Sequence, residues 1–337
     1  MQSMMVSVVA ALVVSASVVG CGGDDGSPTS SDESGESGES GEPAGVTVVA
    51  DGFVSPTQIT GGPDGLLIVA QLAGDEAAAE GEVLALDPVT GDRTVILDGL
   101  DKPTGVLWRS GEVWVMVRRG LVRASWDGTG TAGPVEVMLD DLPFNGRSQG
   151  TLTALPDGRI LYETSGSITG GEVVTGSGVL WAFDPSDGSS TAVATGVKNA
   201  YAHALLPDGH VLVTDIGDNV DPQPVEELNV VPIDGNGGGP VDLGWPACAG
   251  DASCPGVIDP LATFEPTSTP TGVAVVDGNA YVALFVTGEL IRVSLATGAS
   301  EVVLGDNEGL HTVLARPDGT LWLTDHLSGS ILSFDPA

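Results

Sequence analysis

Residues 155–164 read LPDGRILYET, residues 206–215 read LPDGHVLVTD and residues 316–325 read RPDGTLWLTD. A fourth copy, GPDGLLIVAQ, occupies 62–71, and two looser ones turn at Arg109-Ser110-Gly111 and Val276-Asp277-Gly278. Proline presets the φ of a turn's first corner, aspartate caps it and glycine takes the positive φ. Asp-Gly between apolar or alternating segments is therefore a hairpin signal. The six copies recur about 40 to 50 residues apart, with one wider interval. That period in a chain of short strands is the signature of propeller blades.

Each hairpin is followed by a third strand ending in a polar turn, as in GEVLALDPVTG (81–91) and GVLWAFDPSDG (178–188). A short apolar fourth strand then follows, as in RTVILDGL (93–100). After the sixth hairpin no fourth strand is left, and residues 46–53, VTVVADGF, read as its replacement. The predicted fold is an all-β, six-bladed propeller over residues 46–337, closed by its N-terminal strand so that no sheet edge stays open.

Residues 1–20 are uncharged and rich in Val, Ala, Met and Ser, too short for a comfortable membrane span and suited to a signal h-region. Val18-Val19-Gly20 before Cys21 is similar to a bacterial lipobox, which makes Cys21 the expected lipidation site. Residues 21–45 then read as the lipidated Cys and an acidic Gly/Ser/Glu tether that buries no apolar surface. The expected location is extracytoplasmic, with membrane contact through the lipid anchor alone.

With 46 acidic against 11 basic residues the formal charge is -35, which excludes nucleic acid as a partner because phosphate contacts need clustered Lys and Arg. The remaining partners are a sugar-like or anionic small molecule, or a protein at the cell surface. Of the three cysteines, Cys248 and Cys254 share one short loop, GWPACAGDASCPG, and read as a local disulfide in an oxidising compartment.

Aligning the repeats on their turns places Val54, Leu100, Arg147, Lys198, Thr267 and Glu308 at one register before the innermost strands. One residue later come Ser55, Asp101, Ser148, Asn199, Ser268 and Gly309. Arg147 and Lys198 thus fall on neighbouring blades at one rim, a natural seat for an anion in so acidic a chain.

From about residue 142 to 334 the chain resembles the soluble glucose and sorbosone dehydrogenases. The resemblance rests on the order Lys198-Asn199-Ala200-Tyr201, Thr214-Asp215, Glu227-Leu228-Asn229 and Gly244-Trp245-Pro246. It implies a six-bladed propeller using pyrroloquinoline quinone with calcium to oxidise a sugar or a related alcohol or aldehyde. It further implies Lys198, Asn199 and Arg147 as cofactor-binding residues, and Gly217, Asp218, Glu226 and Glu227 as the calcium region.

Departures accompany it. Arg147 stands at the family's catalytic His position, and arginine cannot accept a hydroxyl proton. The family's cofactor-binding arginines fall on Glu308 to Thr312, and its lysine falls near Phe285. His203 and His311, with His326 further along, are the candidate replacement bases. Two main classes stay open: a quinone oxidoreductase, and a non-catalytic propeller that binds a ligand or protein. A lactonase-type metal cage is a weaker third.

Overall fold

The second strand of each blade is apolar along nearly its whole length because both of its faces are buried. In Leu67–Leu72, Leu67 and Val69 join one core while Ile68 and Ala70 join the next. This follows from the two-residue period of a strand whose sheet is packed on both sides. The computed structural model describes residues 45–74, 80–146, 149–217, 223–234, 239–248, 254–307 and 309–336. The expected signal segment, the lipidation site Cys21 and the tether through residue 44 lie outside them, as do Arg147, Asp218 and Glu308.

Six sheets form the ring, and each of their first strands enters from a loop and leaves through one of the six hairpins. The first strands are Pro56–Gly61, Gly105–Arg109, Thr153–Ala154, His203–Leu205, Pro270–Val276 and Leu310–Ala315, for blades one to six. Between each pair of neighbouring blades lies one apolar core, six in all. The core between blades two and three centres on Trp114 and Phe183, whose ring centroids are 6.0 Å apart.

The two looser hairpins are in fact the tightest. Ser110-Gly111 and Asp277-Gly278 both have positive φ at the two corners (52° and 78°, 47° and 76°), the two-residue turn whose twist matches a strand pair. In the Pro-Asp-Gly copies at 158, 209 and 319, only the glycine is left-handed.

The ring closes as expected. Val46–Ala50 is the outermost strand of blade six, antiparallel to Ser330–Phe334, with Val46 opposite Phe334 and Val48 opposite Leu332. Val46 and Phe334 are buried in the core between blades five and six, and Phe53 in that between six and one.

One feature departs from simple repetition. The long segment between the third and fourth strands of blade four crosses back to blade three. There Val241–Asp242 pairs in parallel with Ser190–Thr195 as a fifth strand. The Cys248–Cys254 disulfide closes the loop that follows. This crossing stitches the two blades together and carries Trp245 to their shared rim.

Candidate functional site

Opposite the hairpin face, the loops entering the first strands meet the ends of the second strands. His210–Asp215 is apolar in its middle and ends in Asp215, whose carboxylate reaches the loop from blade three. It accepts the Lys198 backbone N–H at 3.0 Å to each oxygen and the Asn199 N–H at 2.6 Å. Lys198 is thereby held at the rim by its main chain. Its ammonium lies 5.8 Å from the Trp245 ring centroid, a cation–π contact.

Trp245 fits only because glycine faces it. A Cβ on Gly166 would sit 2.6 Å from the indole, and one on Gly178 3.2 Å from it. Among the described residues, Lys198, Asp215, Gly217, Val225, Glu227, Leu243, Trp245 and Cys248 line a crevice of about 10 Å³. That is room for about one water molecule.

Behind Asp215 lies Glu163, fully buried at the end of the second strand of blade three. Its Oε1 is 2.9 Å from the Gly150 N–H and 3.0 Å from Ser165 Oγ, while Ser165 Oγ is 3.3 Å from Asn199 Oδ1. One hydroxyl proton cannot serve both acceptors. Glu163 Oε1, at 3.0 Å the nearer of the two, takes it, with Asn199 Oδ1 as the alternative acceptor.

Burial pushes the Glu163 carboxyl up to about 8, with the Asp215 charge adding to it, against the Ser165 and Gly150 hydrogen bonds and Lys198. Asp215 is pushed up to about 7, first by burial and then by Glu227, against its two backbone amide donors and Lys198.

Toward the axis, four rings from three blades converge. His311 and His326 stack with centroids 5.1 Å apart and planes at 22°, and Tyr201 and Phe285 meet His311 edge-on at 5.2 and 5.7 Å. Tyr201 Oη is 3.1 Å from His311 Nε2, and His326 Nδ1 is 3.1 Å from the Pro56 carbonyl oxygen on blade one. Burial holds His311 well below the usual imidazole range, and His326 beside it adds to this. His311 is therefore a neutral ring within the stack.

The sequence-derived candidates divide accordingly. Lys198 and Asn199 stand together at the rim, but Asn199 is 4% exposed and turned into the Ser165–Glu163 network. Gly217 and Glu227 line the crevice; Glu226, one residue out of phase on the strand, bonds instead to Ser268 Oγ at 3.0 Å and to the Thr269 N–H. Of the calcium-region residues expected from the sequence, Gly217 and Glu227 thus share the crevice and Glu226 turns away from it, while Asp218 lies outside the described residues. Among the described residues no group of three or more His, Cys, Asp or Glu is arranged to hold a metal.

His203 sits between the first strands of blades three and four, its Nδ1 2.8 Å from Thr153 Oγ1. Glu163, Asp215 and Trp245 were not singled out as site residues. The signal for Glu163 was present, since a carboxylate in an otherwise apolar second strand must be buried.

No protein-family model and no curated protein matches the sequence. Solved structures do. The PQQ-bound aldose sugar dehydrogenase of Streptomyces coelicolor superposes with a TM-score of 0.70 at 21% identity, over 86% of this chain and 97% of that one. A putative glucose dehydrogenase of Thermus thermophilus gives 0.69 at 18% identity, over 86% and 98%. The PQQ domain of the Coprinopsis cinerea pyranose dehydrogenase gives 0.66 at 14%, over 86% and 95%. The chain has the fold of the soluble sugar dehydrogenases.

Within that sugar-dehydrogenase fold, the described residues do not fit the quinone. Pyrroloquinoline quinone is a tricarboxylate and needs several cations. The resemblance places cations near Phe285 and across Glu308 to Thr312, where the structure instead has Phe285 and His311 in the ring stack. Lys198 is left facing the buried carboxyls of Asp215 and Glu227. A trianion set there would meet acidic groups at close range.

Proposed function

We propose that the protein is a sugar-dehydrogenase-like propeller, displayed outside the cytoplasm from a lipidated Cys21. In this reading it binds a small polar or anionic ligand of the sugar class at the Lys198 rim, without the quinone turnover of its structural neighbours. The observation that carries the reading is Lys198 itself. Its main chain is pinned by Asp215 and its ammonium is set against Trp245, while the positions that should share an anionic cofactor's charge hold Phe285 and the neutral His311. A fixed cation with a bounded reach suits one carboxylate or a group of hydroxyls better than a tricarboxylate.

A second reading, quinone-dependent oxidation of a sugar, alcohol or aldehyde, is favoured by Lys198-Asn199 standing where the family's cofactor pair stands, and by the PQQ named in the neighbours' titles. Titration with gluconate, and separately with pyrroloquinoline quinone plus calcium, together with a dye-reduction screen over sugars, separates the two. Binding of gluconate that weakens by about 1.5–3 kcal/mol in Lys198→Ala, with no dye reduction, supports the first. Cofactor-dependent dye reduction replaces it with the second, and Arg147→His then raises turnover by restoring a proton acceptor. Failure of both ligands to bind overturns the site.

A further inference from the structure

We infer that the outer groove between blades four and five is a docking site for a partner polypeptide, which lays one lysine or arginine side chain into it. The groove is the uncovered end of a core. Phe264, Leu284 and Ile291 belong to the apolar core between these two blades. Blade four's outermost strand, Ala262–Phe264, stops after three residues and leaves the outer end of that core open. Val302, opposite Ile291 on the outermost strand of blade five, is 55% exposed there. These four apolar side chains line a cavity of about 200 Å³. Toward the hairpin face the blades touch, since a Cβ on Gly298 would sit 2.2 Å from the Leu261 carbonyl oxygen, and the groove is closed at that end. Its other end opens at Thr287, in the turn on the rim side of blade five.

Size and charge choose the occupant. Pockets for whole small molecules run from about 300 to 1,000 Å³, so this space is on the scale of one long side chain. Its walls are acidic. Glu265 follows Phe264 at the end of blade four's strand, Glu289 opens the third strand of blade five opposite Leu284, and Glu301 precedes Val302. Glu301 accepts from Arg292, its cross-strand neighbour, through Oε1 at 2.7 Å. The Glu265 and Glu289 carboxylates have no hydrogen-bond or ion-pair partner among the described residues. An apolar floor alone would take any hydrophobic side chain, and carboxylates alone are everywhere on a chain of formal charge -35. Together they ask for a methylene stem that ends in a cation. Lysine and arginine bury their stems along apolar surface while the charged head stays at the water boundary, here within the fringe of carboxylates. A neutral apolar side chain would leave both carboxylates unanswered, and an acidic one would be repelled. A second copy of this chain is unsuited for the same reason, since it brings the same charge. That charge also draws a basic segment toward the surface from a distance, and the groove then decides where it seats.

The test is an NMR titration of the protein with blocked tripeptides, reading the methyl groups of Ile291 and Val302. The probes carry lysine or arginine between two glycines. The controls carry leucine (a stem without charge), diaminopropionate (a charge without the stem) or glutamate. The expected result is a saturable shift of both methyls with the lysine or arginine probe, and weaker binding of every control. Glu265→Gln and Glu289→Gln should each weaken it roughly two- to fivefold, the worth of an exposed ion pair. Val302→Lys, which sets the chain's own ammonium in the groove from an exposed position, should abolish it at an unchanged melting temperature. Glu136→Gln on blade two and Lys198→Ala should leave it unchanged, which separates the groove from diffuse surface charge and from the rim. Four outcomes overturn the inference. They are no saturable shift, equal binding of the diaminopropionate or leucine control, a shift that survives Val302→Lys, and a shift of the same methyls with protein concentration alone, which would assign the groove to a second copy.

Discussion

At the scale of single residues, two buried carboxyls do different work. Asp215 is a clamp: three contacts to the Lys198 and Asn199 amides use both of its oxygens. Asp215→Asn keeps one acceptor oxygen and turns an N–H toward the other donor, so it should cost about 1–3 kcal/mol and loosen Lys198. Chemical denaturation and the gluconate affinity should both report it, and an unchanged affinity would show that the clamp does not position the ammonium. Glu163 is instead a proton reservoir. Glu163→Gln keeps an oxygen for the Gly150 and Ser165 donors but sets an amide NH2 at the Oε2 position, which has no hydrogen-bond partner in the protein, so at pH 5 the variant should be less stable by about 1–3 kcal/mol. Its folded pKa of about 8 lies above its ordinary value of 4.5. The wild-type stability it contributes is therefore complete below pH 4.5 and is lost as pH rises through about 8. Each pH unit between these two values is worth about 1.4 kcal/mol, so the loss by pH 8.5 is on the order of 4–5 kcal/mol, and the two stability curves should cross between pH 5 and 8.5. Parallel curves would mean that Glu163 is already ionised in the native state.

At the scale of elements, most of the ring was legible from the chain. Asp-Gly corners and apolar second strands are local signals, and a repeated local signal fixes a repeated architecture. Pairing of the first strand with the last blade also followed, because that blade was one strand short. What the sequence did not disclose is tertiary. The parallel addition of Val241–Asp242 to blade three has no local signature, since a two-residue strand shows no period. Trp245 was visible only as part of a motif; its place under Lys198 depends on the absence of side chains at Gly166 and Gly178. The ring stack was hidden for the same reason, because Tyr201, Phe285, His311 and His326 come from three blades and meet only at the axis. Two expectations belong to this scale. Gly166→Ala should displace Trp245, changing its fluorescence and weakening the rim site while leaving the fold intact. Removing residues 22–45 should leave the melting temperature unchanged, whereas removal through Phe53 opens the edge of Ser330–Phe334 and strips Val46 and Phe53 from two cores, so that the protein unfolds or aggregates. A stable monomer lacking residues through 53 would refute the closure as a source of stability.

For the whole molecule, buried acids and buried imidazoles set opposite pH slopes, and their overlap shapes the stability profile. His203, lowered to about 4, and His311, lowered well below 6.5, contribute stability that is complete above pH 6.5 and lost as pH falls through their folded values. Glu163 and Asp215, raised to about 8 and about 7, contribute stability that is complete below their ordinary values of 4.5 and 3.8 and lost as pH rises through the raised ones. Between about pH 4.5 and 6.5 the unfolded chain takes up protons on the imidazoles while the folded chain keeps them on the carboxyls. The two proton counts nearly cancel, and stability is flat. Above pH 6.5 the imidazoles fall silent and only the carboxyl term remains, so stability should drop toward pH 8. Below pH 4.5 only the imidazole term remains, and it should drop again. The formal charge of -35 adds self-repulsion, but that is a surface term and salt screens it within about 10 Å at 0.1 M. The profile should therefore keep its alkaline fall in high salt, lose much of it in Glu163→Gln, and rise as a whole when salt is added. Melting temperatures from pH 4 to 9 at two salt concentrations measure all three, and an alkaline fall that vanishes in salt would assign it to the acidic surface instead of the buried pair.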